Sequence, residues 1–567
     1  MNVALALKYS LCFALLLFAV AVRAQQPVGN NDTSNTTVIR IISAQVMNLL
    51  KKDSVDYTIL SGNAEVEQNG TLFYADSIAL NRTLNVLEAF KHVHINDHDS
   101  VQTYSDYLKY LSKDKKAHLQ GNVKLTDGKG VLTTSVLDYD VNTKTGIYLT
   151  GGKVTTERSV LTSKEAFYYG ETRDVYFKKG VVMNDTDYNI KTDTLLYNTF
   201  TDVATFIVPT HITHGTSTKI FTTDGYYDKK AKKAYFAKRS DIQDGSSFLK
   251  ADEVVYDSTG FGEARGTVIF RDTTQGATLY CNNLKTNRNE KSFLATQRPV
   301  MKLVQNADSL FIASDTMFSG KLTDLKKYRY VPQVVDSLPP ILDSAAFEQD
   351  SANRFLEAYY HVRIYSDSMQ AVGDSLFYTS VDSVFRLFKD PVIWSKDNQI
   401  TGDTIYLFSQ NKKPKRMFAF ENALAINKLT DLYFNEVKGR TINGYFKDGT
   451  INYIHAKGNA EHVYYGQDDA NKFISVDKGK SDIIDMYFNE DRKPERVVMR
   501  SSVEGTAFPM RQVNHEEIRL RGFRWLDSMR PKSKDELLNG TNIRPDPKGG
   551  KSKTEQAQEN AEQQPRG

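Results

Sequence analysis

The groups in this chain that could do chemistry are its histidines and its recurrent carboxylates. His92, His94 and His98 form the best metal candidate. On an extended strand, residues two apart share a face, so His92 and His94 would present two imidazoles together, a donor set that suits zinc. Val93 and Ile95 would then take the apolar face, and the plainer reading has the imidazoles in water with no metal bound. His211 and His214 are three apart and fall on opposite faces of a strand. Paired carboxylates can cleave a glycosidic bond, but here Asp returns at a fixed interval, which argues for a structural role at the start or rim of each strand. There is no Gly-rich phosphate loop, no His-Glu-x-x-His and no Gly-x-Ser-x-Gly. The residues therefore predict a non-enzymatic protein with no cofactor.

The elements that carry these groups repeat. A motif of an acidic or small residue, then x, aliphatic, x, Tyr appears as Asp106-Tyr107-Leu108-Lys109-Tyr110, Ser135-Val136-Leu137-Asp138-Tyr139, Asp193-Thr194-Leu195-Leu196-Tyr197 and Asp252-Glu253-Val254-Val255-Tyr256. It recurs as Asp374-Ser375-Leu376-Phe377-Tyr378, with weaker copies from Asp76, Lys164, Asp224, Asn282, Asp315 and Asp403. The period is about 29 residues, the signature of a repeat architecture. A second element keeps the same period: Gly62-Asn63-Ala64, Gly121-Asn122-Val123, Gly180-Val181-Val182, Gly266-Thr267-Val268 and Gly458-Asn459-Ala460.

Each unit reads as two strands of about ten residues, with turn chemistry such as Asp127-Gly128-Lys129-Gly130 between them. By strand parity, Val93, Leu108, Tyr110, Val123, Leu125, Leu137, Tyr139, Leu195 and Tyr197 share apolar faces, and Lys109, Lys124 and Asp138 face water. That apolar face is compatible with a closed sandwich core or with an open groove. Stacked at ~4.8 Å per strand, a dozen units would make a slab roughly 120 Å long.

Composition agrees with β-structure: 31 Tyr and 30 Phe against 14 Pro. Lys/Arg and Asp/Glu nearly balance, with net charge +4, so no nucleic-acid surface is indicated. Residues 1–24 read as an export signal: Lys8, an apolar run over 11–22, and Val22-Arg23-Ala24 at the cleavage site. The run is well short of the ~20 residues that span a bilayer, although an uncleaved anchor is the alternative. Cys12 lies in this leader in a poor context for lipidation, which leaves Cys281 as the sole mature cysteine and no disulfide.

The period is broken at 328–353, read as an inserted loop or a joint, between repeat regions at 38–327 and 354–525. Two longer units of about 40 residues centre on Asn443 and Asp482. Residues 25–37 read as loose. The stretch 531–567, rich in Lys, Glu, Gln, Asn and Gly, reads as disordered. The first repeat strand spans 38–50, and Ile39 and Ile41 mark an uncovered edge able to recruit a partner strand.

Gly121 to Gly128 followed by Leu132 to Tyr139, with Tyr360 to Gln370 and Gly402 to Tyr406, resemble the repeat of OstA-like proteins, the family that includes LptA and the periplasmic domain of LptD. The resemblance covers about residues 38–510, and its second half is similar to the long OstA-like proteins of Bacteroidetes-type bacteria. It implies an all-β, repeat-built, folded-over β-jellyroll of stacked antiparallel strands whose apolar β-groove holds lipid acyl chains. It further implies a periplasmic lipopolysaccharide-transport scaffold for outer-membrane biogenesis. Its partners would be lipopolysaccharide and OstA-, LptC- or LptD-like β-groove modules joined head to tail by strand pairing, and it would associate with the outer membrane. The chain is longer than a minimal LptA and carries no C-terminal barrel like that of LptD. The competing readings are a cell-surface structural or carbohydrate-binding β-solenoid and a polysaccharide-processing β-helix. The latter would need a local cluster of acid and base residues, which the sequence does not offer.

Overall fold

The computed structural model describes residues 38–539, apart from short stretches at 53–54, 98–100, 306–307, 338, 344–352, 411–412, 448, 469 and 491–493. The described chain is almost entirely antiparallel strand, with helix confined to pieces such as Leu322–Leu325 and Lys534–Leu538. It forms two compact units, divided after Lys116.

In the first unit, strands Val55–Gln68, Thr71–Asn81, Val86–Asp97 and Val101–Leu111 pair in sequence order. Asn69 and Gly70, both at positive φ, close the first hairpin between Gln68 and Thr71, the two-residue turn that an Asn-Gly pair favours. The strand expected over 38–50 is in fact two, Arg40–Ser43 and Val46–Lys52, both paired to Val55–Gln68. The break falls at Ala44-Gln45, where the Gln45 amide bonds the carbonyls of Ser61 and Gly62. The cause is opposite: Gly62 and Asn63 both adopt positive φ and put a bend into the neighbouring strand. A Cβ on Gly62 would lie 2.5 Å from the Gln45 side chain, so the bend needs glycine there.

This bend is the organising feature of both units. Pairs at positive φ recur at Gly62-Asn63, Lys91-His92, Gly121-Asn122, Lys179-Gly180, Lys238-Arg239, Gly266-Thr267, Gln297-Arg298, Lys389-Asp390, Glu421-Asn422, Gly458-Asn459 and Ser501-Ser502. Several stand opposite a single residue of the next strand: Asp76, Asp106, Asp193 and Asn282 each face two. Two residues against one is a β-bulge, which bends and twists a strand. The two periodic sequence elements are thus the two sides of one crease. The recurrent Asp opens a first-leaf strand where the strands are split, as at Asp224, Asp252, Asp315 and Asp403, and lies inside the strand where they are long, as at Asp76, Asp106, Asp193 and Asp374. It sits at the bend, where Asp76 pairs with His92, and where Asp252 accepts from Thr267 at 3.0 Å and Arg239 at 3.1 Å.

In the second unit the crease divides the sheet into two leaves. Strand Asp174–Asp185 pairs through its first half with Glu165–Tyr169 and through its second with Ser159–Ser163. The next strand, Tyr188–Asn198, follows it throughout, then divides its own far side between Val203–Phe206 and Thr210–His214. Long strands such as Phe261–Asp272, Arg354–Tyr365 and Lys413–Lys428 cross both leaves in the same way. Inward-facing side chains of both leaves make one apolar core.

The insertion does not break the ladder. Asp308–Ala313 and Thr316–Lys321 pair directly with Arg354–Tyr365, so the intervening chain leaves the sheet and returns to it. It contributes a small hairpin, Gln333–Val335 with Ile341–Asp343, whose Val334 packs on Val384, Phe408 and Phe418. Residues 510–538 form a strap across the outer face of the other leaf. Its Leu520 amide donates to Glu436 at 2.8 Å, its Leu526 amide to Gln399 at 2.7 Å, and its Arg530 to Gln370 at 2.8 Å. The strap ends in helix Lys534–Leu538, capped by Ser533, with Leu537 and Leu538 buried against Val300 and Phe311. The disorder expected from Pro531 therefore does not hold for 531–538, whose leucines find a docking surface. Residues 540–567, like 1–37, lie outside the described residues. Covered on both sides, strands such as Val384–Phe388 and Val392–Ser395 are buried along most or all of their length, which explains why apolar residues occupy both of their faces, with the buried Arg386 paired to Asp382.

Candidate functional site: an apolar trough between two leaves

Because strands are in register, side chains directly opposite one another line up into rows that run from strand to strand. On the first leaf of the second unit one row reads Tyr148, Ala166, Phe177, Leu195, Phe206, Gly225, Phe236 and Val254. Gly225 has φ +143, and a Cβ there would lie 2.2 Å from the Tyr235 carbonyl oxygen. The flanking rings of Phe206 and Phe236 stack at 6.3 Å across it. A parallel row alternates large and small: Gly146, Tyr168, Val175, Tyr197, Ala204, Tyr227, Ala234, Tyr256, Gly262. The aliphatic and the Tyr of the repeat motif are the members of these two rows.

The second leaf carries an equally continuous row: Val154, Leu161, Met183, Ile190, Ile212, Ile220, Ile242, Leu249, Phe270, Leu279, Met301, Ile312 and Ile364. Ile190 and Ile312 are fully buried, whereas Ile220, Ile242, Leu249 and Phe270 are half-buried. The trough between the leaves is thus least covered along that middle stretch. Sequence reasoning missed this row. Val154, Leu161, Ile212, Ile220, Ile242 and Leu249 of this row lie on strands of only five residues broken by polar turns.

Of the residues expected to line the apolar face, Leu137, Leu195, Tyr197 and Val123 are buried in the second unit, and Leu125 and Tyr139 are half-buried. In the first unit Val93, Leu108 and Tyr110 are buried, with Leu108 in a row with Leu60, Ile78 and Ala89. Lys109, Lys124 and Asp138 are exposed. Burial, followed by the charge of Asp97, raises the Tyr110 phenol, and burial pushes the Cys281 thiol up to about 12. Both stay neutral and apolar in character.

The trough has a charged rim far from the crease. Lys229, just beyond first-leaf strand Asp224–Asp228, reaches Asp185 at the end of the second-leaf half of Asp174–Asp185, with Nζ 3.0 Å from Oδ2. The same ammonium donates to Ser159 at 2.9 Å, and Ser159 donates to Asp185. The side chains of Lys229 and Asp185 are only 13% and 3% exposed. Burial would raise the Asp185 carboxyl, but its bonds from Ser159 and Lys229 outweigh that and hold it below its ordinary range. Beside them Tyr188 and Tyr227 meet edge to face at 5.0 Å. The Tyr188 hydroxyl is buried without a hydrogen-bond partner. Further along, Arg288 of the first-leaf rim donates to Asp244 of the second at 2.5 Å and to the Tyr256 hydroxyl at 3.2 Å.

The histidines do not converge. His92 lies in the crease against Asp76, and His94 bonds Gln102 at 2.6 Å while stacked between Tyr74 and Tyr104. His98 lies outside the described residues. His211 packs on Phe221 at 5.0 Å. Among the described residues no group of three or more His, Cys, Asp or Glu side chains could hold a metal ion. No described helix is long and apolar enough to cross a membrane.

Fold and site together define an all-β, repeat-built protein with an apolar trough between two creased leaves. Residues 36–193 and 166–252 match the family model described as OstA-like protein. No curated protein matches the chain.

Proposed function

We propose that the protein is a non-enzymatic periplasmic carrier that holds the acyl chains of lipopolysaccharide in the trough on their way to the outer membrane. The observation that carries this reading is the unbroken inward row from Val154 to Ile364 facing the Leu and Tyr rows of the other leaf. Transfer from water is worth roughly 0.8 kcal/mol per CH₂, so a twelve-carbon chain fully covered there gains about 10 kcal/mol. The charged outer face of Lys109, Lys124 and Asp138 keeps the exterior solvated.

Strands Arg40–Ser43 and Val46–Lys52 pair on one side only among the described residues, and Leu49 is 73% exposed. That edge, which includes Ile41 with Ile39 beside it, is where an OstA-, LptC- or LptD-like module would add a strand. The test is photo-crosslinking in living cells. A photoreactive residue at Leu108, Val123 or Leu195 is expected to capture lipopolysaccharide, and one at Lys109 is not. Equal labelling on the two faces would refute the carrier reading.

A further inference from the structure

The trough is filled by its own side chains: Leu195, Phe206 and Ile190 are fully buried against other residues of the core. To take up an acyl chain, the leaves must part, and the rim bridges stand in the way. Both bridges join a first-leaf cation to a second-leaf aspartate, and both partners advance by the same 59 residues, from 229 to 288 and from 185 to 244. That is two repeats, or four strand steps on either leaf, about 19 Å at ~4.8 Å per strand. A second bridge at the equivalent place two repeats on ties the feature to the trough and not to a single turn.

Parting the leaves at Lys229 separates an ammonium and a carboxylate that are both largely buried. A buried charge that loses its partner is strongly unfavourable. Asp185, at the end of its strand, can turn to water. The cation then keeps only Asp202 of its own leaf, 3.9 Å away and already held by the Tyr197 hydroxyl, so it calls for a further anion, and the buried Tyr188 hydroxyl at the same place calls for an acceptor. An amphiphile whose chains lie along the inward rows places its headgroup at this rim. We infer that Lys229 and Arg288 are exchangeable latches that recognise the headgroup: in the closed arrangement each holds an aspartate of the opposite rim, and in the loaded one each transfers to an anionic group, phosphate or carboxylate, of the bound amphiphile. The inference rests on the carrier reading above and adds the headgroup chemistry that the carrier selects.

The test compares binding of dodecyl phosphate and of neutral dodecyl maltoside to the full chain by calorimetry, below their micelle-forming concentrations. The variants are Lys229→Gln, Arg288→Gln, Asp185→Asn and Asp244→Asn, with far-UV circular dichroism as the folding control. Releasing a latch from either side lowers the cost of opening, so all four variants are expected to tighten dodecyl maltoside by roughly three- to tenfold. For dodecyl phosphate the signs separate: the Asp→Asn variants tighten binding and the Lys229→Gln and Arg288→Gln variants weaken it. If all four tighten dodecyl phosphate alike, the cations are latches without headgroup recognition and the inference is overturned. It is overturned equally if no variant changes either affinity. Should neither amphiphile bind the unaltered protein, the carrier reading fails. The latch itself is then read from hydrogen exchange of strand Tyr188–Asn198, which Asp185→Asn must accelerate if Lys229 and Asp185 hold the leaves together.

Discussion

Glu436 offers a pH-dependent test of how the strap is held. Its carboxylate is 1% exposed beneath residues 510–538 and accepts the Leu520 amide at 2.8 Å. Burial raises its pKa from 4.5 to about 7, against the opposing pull of the Leu520 amide, Arg519 and Lys478. Below pH 4.5 the group is neutral whether the strap is docked or free, and burial costs nothing. Between 4.5 and 7 the free carboxyl ionises while the docked one keeps its proton, so docking weakens as pH rises. Above about 7 the loss is complete, and at roughly 1.4 kcal/mol for each pH unit it amounts to about 3 kcal/mol. Glu436→Gln keeps an acceptor for Leu520 and removes the titration. Amide hydrogen exchange of the strap, corrected for intrinsic pH dependence, is expected to match the unaltered protein near pH 4. At pH 8 the variant should be more protected by about 3 kcal/mol. Parallel profiles from pH 4 to 8 would refute the reasoning. A variant less protected at pH 8 would show that attraction to Arg519 and Lys478 exceeds the cost of burial.

Gly225→Ala is expected to destabilise the second unit by about 2–4 kcal/mol, since any Cβ must displace the Tyr235 carbonyl at an unfavourable φ. A urea midpoint within error of the unaltered protein would contradict that. Leu49→Lys, on a strand exposed along its length, is expected to leave thermal stability unchanged within ~0.5 kcal/mol and to reduce association through the N-terminal edge. Analytical ultracentrifugation with a partner module, or of the chain alone at high concentration, reads the second effect.

The inward positions of Leu108, Leu195 and Tyr197 were legible because alternation along one long strand fixes a face without knowledge of its neighbours. The crease was legible only as a period. Gly62-Asn63 and Asp76 announce special backbone and a polar neighbour, but a strand start and a mid-strand bulge use the same residue types. The middle of the second-leaf row, from Ile212 to Leu249, was hidden by strands of five residues, too brief to establish a period of two. Arg288 and Asp244 meet across 44 residues, and nothing local in either marks the other. The strap escaped notice for a different reason. Ile518, Leu520, Leu526 and Leu537 are irregularly spaced, because they follow the sockets of the leaf beneath and not the period of a helix or strand.

The row Ile190, Ile212, Ile220 and Ile242 places the same β-branched side chain on four successive strands. An acyl chain lying against it meets an almost unchanged surface after each displacement of about 4.8 Å. Travel along such a track is a walk among wells of nearly equal depth, with low barriers and no built-in slope. On the carrier reading proposed above, direction then has to be imposed at the termini of the track, by a donor that keeps one end supplied and an acceptor that clears the other.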